Sequence, residues 1–230
     1  MTRDPLSAVR PRIRSIRAYR FDPVPAGLKA KLDFNESPAD VPPEAKSAAL
    51  AAIGARRFAL YPEFGVPRLR EALAASVSLA PEKVVPSNGS GEAILAAVSV
   101  FAGCGGTLLL APPVFSLYGQ MAAIAGAEVA TVPLAGDGFR LDEEAFLARA
   151  GEGERTIPLL CSPNNPTGGT VSHDFVRRLC GVAPVVVTSS MSSTERPATR
   201  GIRWNRSCSG PVIDSRPQRA SNCVAGKKRS

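Results

Sequence analysis

Two short stretches and two aromatic residues in this 230-residue chain could hold a small charged ligand. In the run Ser87-Asn88-Gly89-Ser90-Gly91-Glu92 an extended segment gives way to a helix. The N–H groups of Ser90, Gly91 and Glu92, with the positive end of that helix, would form a cradle for a phosphate. A plain glycine-rich turn with Ser90 as helix N-cap fits the same residues. Asn165 lies in Ser162-Pro163-Asn164-Asn165-Pro166-Thr167-Gly168-Gly169, between two prolines that fix the backbone. Its amide offers both a donor and an acceptor, although an ordinary Asn-Pro turn is the simpler use of the motif. Phe115 comes just after an apolar strand, where α/β sheets place ligand groups, and a core aromatic is its alternative role. Tyr61 stands in Leu60-Tyr61-Pro62-Glu63, where a surface turn is the plain reading. His173, the single histidine, falls in the first turn of a predicted helix and reads as solvated, not as a general base.

Positioning these groups requires an alternation of strands and helices. From Pro42 the chain predicts helices over 42–53 and around Leu69 to Val77, an extended segment over 83–86 and a helix over 92–101. An apolar strand over 107–111, a helix over 116–125, a strand over 128–133 and a helix over 142–149 follow. A buried strand over 157–161, a helix over 172–180 and a strand starting at Val185 complete the series. Short connections between alternating elements are the pattern of a layered α/β fold with a parallel sheet.

Composition narrows the functional classes. The formal charge of +8 belongs almost wholly to residues 188–230, which hold nine Lys/Arg against two Asp/Glu. That segment has no Leu or Phe, has nine Ser, and shows no helical or strand period, so it reads as a disordered basic tail. Six arginines in the first twenty residues form a second basic run. Pro5 and Pro11 interrupt an amphipathic helix there, which favours a solvated arm over a transit peptide. Without aromatic interleaving or a recognisable binding module, neither run predicts specific nucleic-acid binding. No long apolar run or signal peptide is present, so a soluble cytoplasmic protein with no membrane partner is expected. Five widely spaced cysteines, with no C-x-x-C pair, predict neither a disulfide framework nor a metal site.

Leu32-Asp33-Phe34-Asn35-Glu36-Ser37-Pro38, the segment from Leu60 to Ala74, the Ser87 to Ile94 turn, the segment from Pro112 to Leu134 and Ser162 to Gly169 occur in one order. As a set they resemble the large-domain half of a fold-type I, pyridoxal-phosphate-dependent aminotransferase, and most of all histidinol-phosphate aminotransferase. The resemblance runs from about Arg12 to Val187. It implies a three-layer α/β/α large domain with a mostly parallel sheet, here incomplete, over residues 41–187. Residues 1–40 would be an N-terminal arm and substrate-entrance segment, with Asn35 and Glu36 as weak site candidates. It also implies pyridoxal 5'-phosphate as cofactor, with its phosphate on the amides of Ser90, Gly91 and Glu92. Phe115 would stack on the ring, with Phe where Tyr is usual, and Asn165 would bond the phenolic oxygen. Tyr61 would reach the partner's cofactor phosphate in a homodimer. The implied reaction moves the amino group of histidinol phosphate to 2-oxoglutarate. A threonine-phosphate decarboxylase-like enzyme, an aromatic aminotransferase and a non-catalytic cofactor-binding fragment are the alternatives.

The resemblance ends abruptly. After Val187, where the family carries an Asp-Glu-Ala-Tyr type motif whose Asp partners the pyridine nitrogen, this chain has Thr188, Ser189 and Ser190. No Ser-x-Ser-Lys segment with a Schiff-base lysine follows, and Lys227 and Lys228 lie in a terminal basic cluster. No catalytic residue is therefore assigned, and this form is expected to be inactive. A one-nucleotide frameshift near codon 188 would account for the change, since ACG AGC (Thr-Ser) becomes GAC GAG (Asp-Glu) once a G is restored in front. Sequencing the gene across codons 184 to 195 tests this. An intact frame through Ser230 with transcript support excludes the frameshift.

Overall fold

A computed structural model describes residues 5–16, 26–28, 39–189 and 212–214. The 32–38 motif, with Asn35 and Glu36, lies outside the described residues, as does most of 190–230.

The sheet is parallel throughout the described residues. Its strands are β1 (Thr107–Leu110), β2 (Glu128–Thr131), β3 (Thr156–Cys161), β4 (Val185–Thr188) and β5 (Val212–Asp214), in the order β2-β1-β3-β4-β5. Every residue of β3 and β4 is buried, as expected of parallel strands covered on both faces. Alternate residues serve opposite layers. Leu108, Leu110, Leu159, Cys161 and Val186 pack beneath α4 (Gly89–Phe101) and α5 (Leu117–Ala125). Leu109, Leu160, Val185 and Val187 pack beneath α6 (Glu143–Ala150) and α7 (His173–Cys180). The result is the three-layer α/β/α arrangement expected from the sequence.

Local signals explain most element ends. Ser172 caps α7 by accepting the Phe175 N–H at 3.0 Å, and Asp142 caps α6 by accepting the Ala145 N–H at 3.0 Å. Gly126, at φ +76°, ends α5 in the left-handed conformation that glycine adopts without strain. Between α4 and β1 the chain packs so closely that a Cβ on Gly103 would sit 2.3 Å from the Ser99 carbonyl oxygen.

Three expectations are revised. The 83–86 segment begins with a 3-10 turn, Pro81–Lys83, after which Val84 is extended and buried. The arginine-rich arm is not simply solvated. Its α1 (Pro11–Arg14) starts at a proline, which is pre-shaped for the first helical position, so Pro11 begins a helix and does not break one. Arg10 then donates to the Ile124 carbonyl and Arg12 pairs with Glu128, tying the arm to the corner between α5 and β2. Finally, Thr188 completes β4, and β5 falls inside the segment read as a structureless tail. Val212 and Ile213 are too short an apolar run, in a polar context, to register as a strand by pattern.

The helices nearest the N-terminus contribute little to this core. α2 (Pro43–Gly54) buries no residue and α3 (Pro67–Ser76) buries only Ala74.

Phe146 of α6 and Phe175 of α7 are fully buried and meet edge to face, ring centroids 6.2 Å apart. Phe175→Ala is expected to cost about 3–5 kcal/mol, as large aromatic truncations in closed cores do. An unfolding free energy, measured by urea denaturation, lowered by less than a third of that would place Phe175 outside the stabilising core.

Candidate functional site

A parallel sheet gathers the carboxyl ends of its strands along one edge, and the chain reverses its direction of travel there. From β1 it passes over one face through α5 to the outer strand β2, whereas from β3 it passes over the other face through α7 to β4. The loops after β1 and β3 therefore part from neighbouring strands and leave a crevice between them, the ligand position of open α/β sheets. Phe115 follows β1 and Asn165 follows β3, so the topology brings these two predicted residues to one edge.

The loop after β3 is held by Asn164, which the sequence reading passed over for its neighbour. The Asn164 N–H donates to the Gly169 carbonyl at 2.7 Å, and its own carbonyl accepts from the Gly168 N–H at 2.8 Å. Its buried side-chain amide donates to the Pro113 carbonyl at 2.9 Å and to the Thr167 hydroxyl at 2.8 Å. One side chain thus joins the loops after β1 and β3. Asn165 is left half-buried, and its amide has no hydrogen-bond partner among the described residues. The Pro112–Pro113, Ser162–Pro163 and Asn165–Pro166 peptide bonds in these loops are cis.

Phe115 is half-buried and meets the Tyr118 ring edge to face, centroids 5.6 Å apart. Tyr118 is buried, and its hydroxyl lies 2.6 Å from Thr188 Oγ1 at the end of β4. Burial pushes the Tyr118 phenol well above its ordinary range, and the neighbouring Cys161 thiol adds to the shift, so the group is a neutral hydroxyl. Thr188 Oγ1 also approaches the Leu160 carbonyl at 3.5 Å, and the Thr188 carbonyl accepts from the Ser162 N–H at 2.8 Å. Tyr118 is not singled out by the sequence, because a tyrosine on an apolar helix face looks like ordinary packing, and Thr188 is noted there only as standing where the resemblance expects an Asp.

The N-terminus of α4 differs from the simple reading of a capping serine. Asn88 occupies the N-cap position and Ser90, Gly91 and Glu92 form the first turn. Glu92, four residues past the N-cap, reaches back to accept the Asn88 N–H at 2.5 Å. The leading N–H groups of a helix have no intrahelical acceptor, and those of Ser90 and Gly91 donate to no described group. A Cβ on Gly91 would stand 3.7 Å from the Met121 methyl, so this turn lies against α5, the helix that follows Phe115.

Tyr61 is not drawn to this edge: it stands 99% exposed in the loop before α3. His173 is exposed in the first turn of α7. A cavity of about 440 Å³ opens beside Ala111, Asn164, Thr167, Arg140 and Glu143, and none of the six predicted binding residues lines it. Among the described residues no group of His, Cys, Asp and Glu could hold a metal, and no helix is long and apolar enough to cross a membrane.

Comparison with known proteins extends this geometry. The family model "Aminotransferase class I and II" matches residues 29–186. A histidinol-phosphate aminotransferase of Desulfitobacterium hafniense is 34% identical over 183 residues, covering 78% of this chain and 50% of the relative. The N-succinyldiaminopimelate aminotransferase of Mycobacterium tuberculosis superposes with a TM-score of 0.57 at 32% identity, covering 66% of this chain and 43% of that one. Cystalysin from Treponema denticola, a structure that contains a pyridoxal 5'-phosphate cofactor, gives a TM-score of 0.57 at 15% identity, covering 69% and 43%, a likeness of fold alone. The chain spans about half the length of the curated relatives it matches.

The two adjacent asparagines separate structure from binding. Asn164→Ala strands the Pro113 carbonyl and is expected to lower stability by about 1–3 kcal/mol. Asn165→Ala breaks no described hydrogen bond and is expected to stay within about 0.5 kcal/mol of the parent. Denaturant unfolding of both variants measures this, and equal losses would contradict the division of labour.

Proposed function

Because the chain belongs to the class I and II aminotransferases, we propose that its carboxyl edge binds pyridoxal 5'-phosphate without a covalent link, and that the intact protein transfers the amino group of histidinol phosphate to 2-oxoglutarate. The observation that carries the cofactor reading is the unpartnered Asn165 amide at the crevice between β1 and β3. An amide left half-buried with neither donor nor acceptor satisfied is suited to a ligand that supplies the partner.

The residues present fit the group at three points. The first turn of α4 offers unpaired N–H groups and the positive end of a 13-residue helix to a phosphate. Phe115 offers a half-buried ring platform, for which the missing phenolic hydroxyl is immaterial because stacking uses the face. Asn165 offers its amide to the phenolic oxygen. When bound, pyridoxal phosphate supplies an electron sink for bonds broken at the amino-bearing carbon of a substrate. The protein's part here is to hold the phosphate, orient the ring and fix one oxygen. In the intact homodimer the exposed Tyr61 reaches the neighbouring subunit's phosphate site.

Covalent chemistry is not assigned to this chain. Of the lysines within the described residues, Lys46 pairs with Asp40 and Lys83 belongs to the turn before α4, so neither belongs to the cluster at the carboxyl edge. The preference for histidinol phosphate among related substrates rests on the D. hafniense relative and its neighbours.

An absorbance titration of the full chain with pyridoxal 5'-phosphate tests the reading. Saturable binding is expected, and Asn165→Ala should weaken it about tenfold, the worth of roughly one hydrogen bond. Borohydride treatment should leave no cofactor attached to a lysine. Stable label on a lysine overturns the non-covalent reading, and absence of saturable binding overturns the cofactor assignment.

A further inference from the structure

The cavity of about 440 Å³ beside β1 and β3 has no part in the proposed cofactor site. Its floor is formed by Ala111, Leu134, Leu141, Leu160 and Val171, all members of the apolar cluster under α6 and α7. Phe115 and the first turn of α4 belong with the layer on the other face of the sheet. The rim carries two opposite charges, Arg140 and Glu143, together with the hydroxyls of Thr167 and Thr170. We propose that this cavity is a binding site for an aliphatic α-amino acid, with the carboxylate on Arg140, the ammonium on Glu143 and the side chain on the apolar floor.

The walls are set by backbone. Ala135 and Arg140 exchange two hydrogen bonds, at 2.8 and 2.9 Å, and close a hairpin between β2 and α6. Within it Phe139 is held at φ +46°, a left-handed conformation that is strained for a bulky residue and that recurs where a fold shapes a ligand site. The hairpin meets the loop after β3 at Gly169, where a Cβ would lie 3.9 Å from the Phe139 carbonyl oxygen and 3.5 Å from Thr167 Oγ1. That loop is in turn fixed by the Asn164 side chain, which donates to Thr167 and to the Pro113 carbonyl. The volume enclosed between these two walls falls in the range of small-molecule sites, about 300–1,000 Å³.

The rim charges are arranged for a ligand and not for each other. The Arg140 side chain lies along Gly138, its Nε 3.5 Å from where a Cβ would stand, and it makes no hydrogen bond or ion pair with any described group. Glu143 approaches Arg178 at 3.7 Å, and the shorter pairing of Arg178 is with Glu144, so the Glu143 carboxylate keeps most of its accepting capacity. Arg140 and Glu143 do not pair, although they are close in sequence. A plain anion would satisfy Arg140 and be repelled by Glu143, and a plain cation would do the reverse. A zwitterion satisfies both with charge-assisted hydrogen bonds, while its aliphatic side chain takes the apolar floor out of water. The Thr170 hydroxyl, which has no described partner, offers the carboxylate a second donor.

Calorimetric titration of the full chain, without pyridoxal phosphate, with L-leucine, L-isoleucine and L-valine tests the site. Saturable binding is expected, and Arg140→Gln should weaken it about tenfold or more, the loss of a hydrogen bond to a charged group. Glu143→Gln separates a zwitterion from a plain anion. It should weaken leucine about tenfold and strengthen 4-methylpentanoate, which has the same carboxylate and carbon skeleton but no ammonium. A leucine analogue with a diazirine in its side chain locates the ligand, and label on residues 134–143 or 167–171 is expected. Label confined to residues 87–94 or to Phe115 puts the amino acid in the cofactor crevice and overturns the proposal. So does the absence of saturation by all three amino acids in the millimolar range, or an unchanged affinity in Arg140→Gln. If Glu143→Gln leaves leucine binding unaltered, the ammonium has no partner there and the zwitterion reading fails. The titration and labelling of the parent decide the matter even if either variant loses its fold by circular dichroism.

Discussion

A parallel sheet has to be covered on both faces and re-entered from the same end by every strand, and the remaining features of this molecule follow from that requirement. β3 and β4 are buried along their whole length, so their side chains are apolar except for Thr156 and Thr188 at their ends, and the helices divide between two layers. The carboxyl ends then collect on one edge, where β1 and β3 send their chains away over opposite faces. Loops at that edge cannot close over each other. Asn164 bridges them with a single side chain, and the neighbouring Asn165 is free for another partner because Asn164 already satisfies the loop.

This explains how far the sequence could be read. Fully apolar strands, glycine turns and capping residues such as Ser172 and Asp142 are local signals, so the helices and strands from Pro43 to Val187 were placed within a few residues. The site was legible where a motif combined a turn with an unusual backbone, as at Asn165 and the first turn of α4. It was not legible where a residue's partner comes from across the fold. Tyr118 and Thr188 are 70 residues apart and meet only because α5 lies over the sheet. The proline at the start of α1 was read as a helix breaker because the reading weighed its missing N–H and not its fixed φ, which suits a first turn.

The N-terminal elements follow a different physical logic. α2 buries nothing, and Phe58, Tyr61 and Phe64 stand largely exposed in the loop that precedes α3. Exposed aromatics clustered in one loop are costly in water and are characteristic of surfaces that meet another protein surface. In the proposed homodimer this is the loop that carries Tyr61 towards the neighbouring subunit, and its exposure agrees with a role between chains.

Binding and bond-breaking are separable demands on a site of the proposed kind. Holding a phosphate takes backbone N–H groups at a helix start, and fixing an oxygen takes an amide. The helix start precedes β1 and the amide follows β3, so both belong to the part of the chain before β4. Activating an amino-bearing carbon needs charge at defined points: a lysine to form and release the covalent link, and an anion to keep the ring cationic. The resemblance would place the anion at the position of Thr188, the last residue of β4, and the lysine beyond it. At Thr188 the fold nevertheless completes its strand and satisfies the new hydroxyl with Tyr118. The sheet tolerates this exchange because a paired hydroxyl costs little to bury, whereas an unpaired carboxylate at the same place would cost several kcal/mol, about the penalty for desolvating an ion without a partner. The same hydrogen bond thus lets the strand end inside the core without leaving a hydroxyl unpaired.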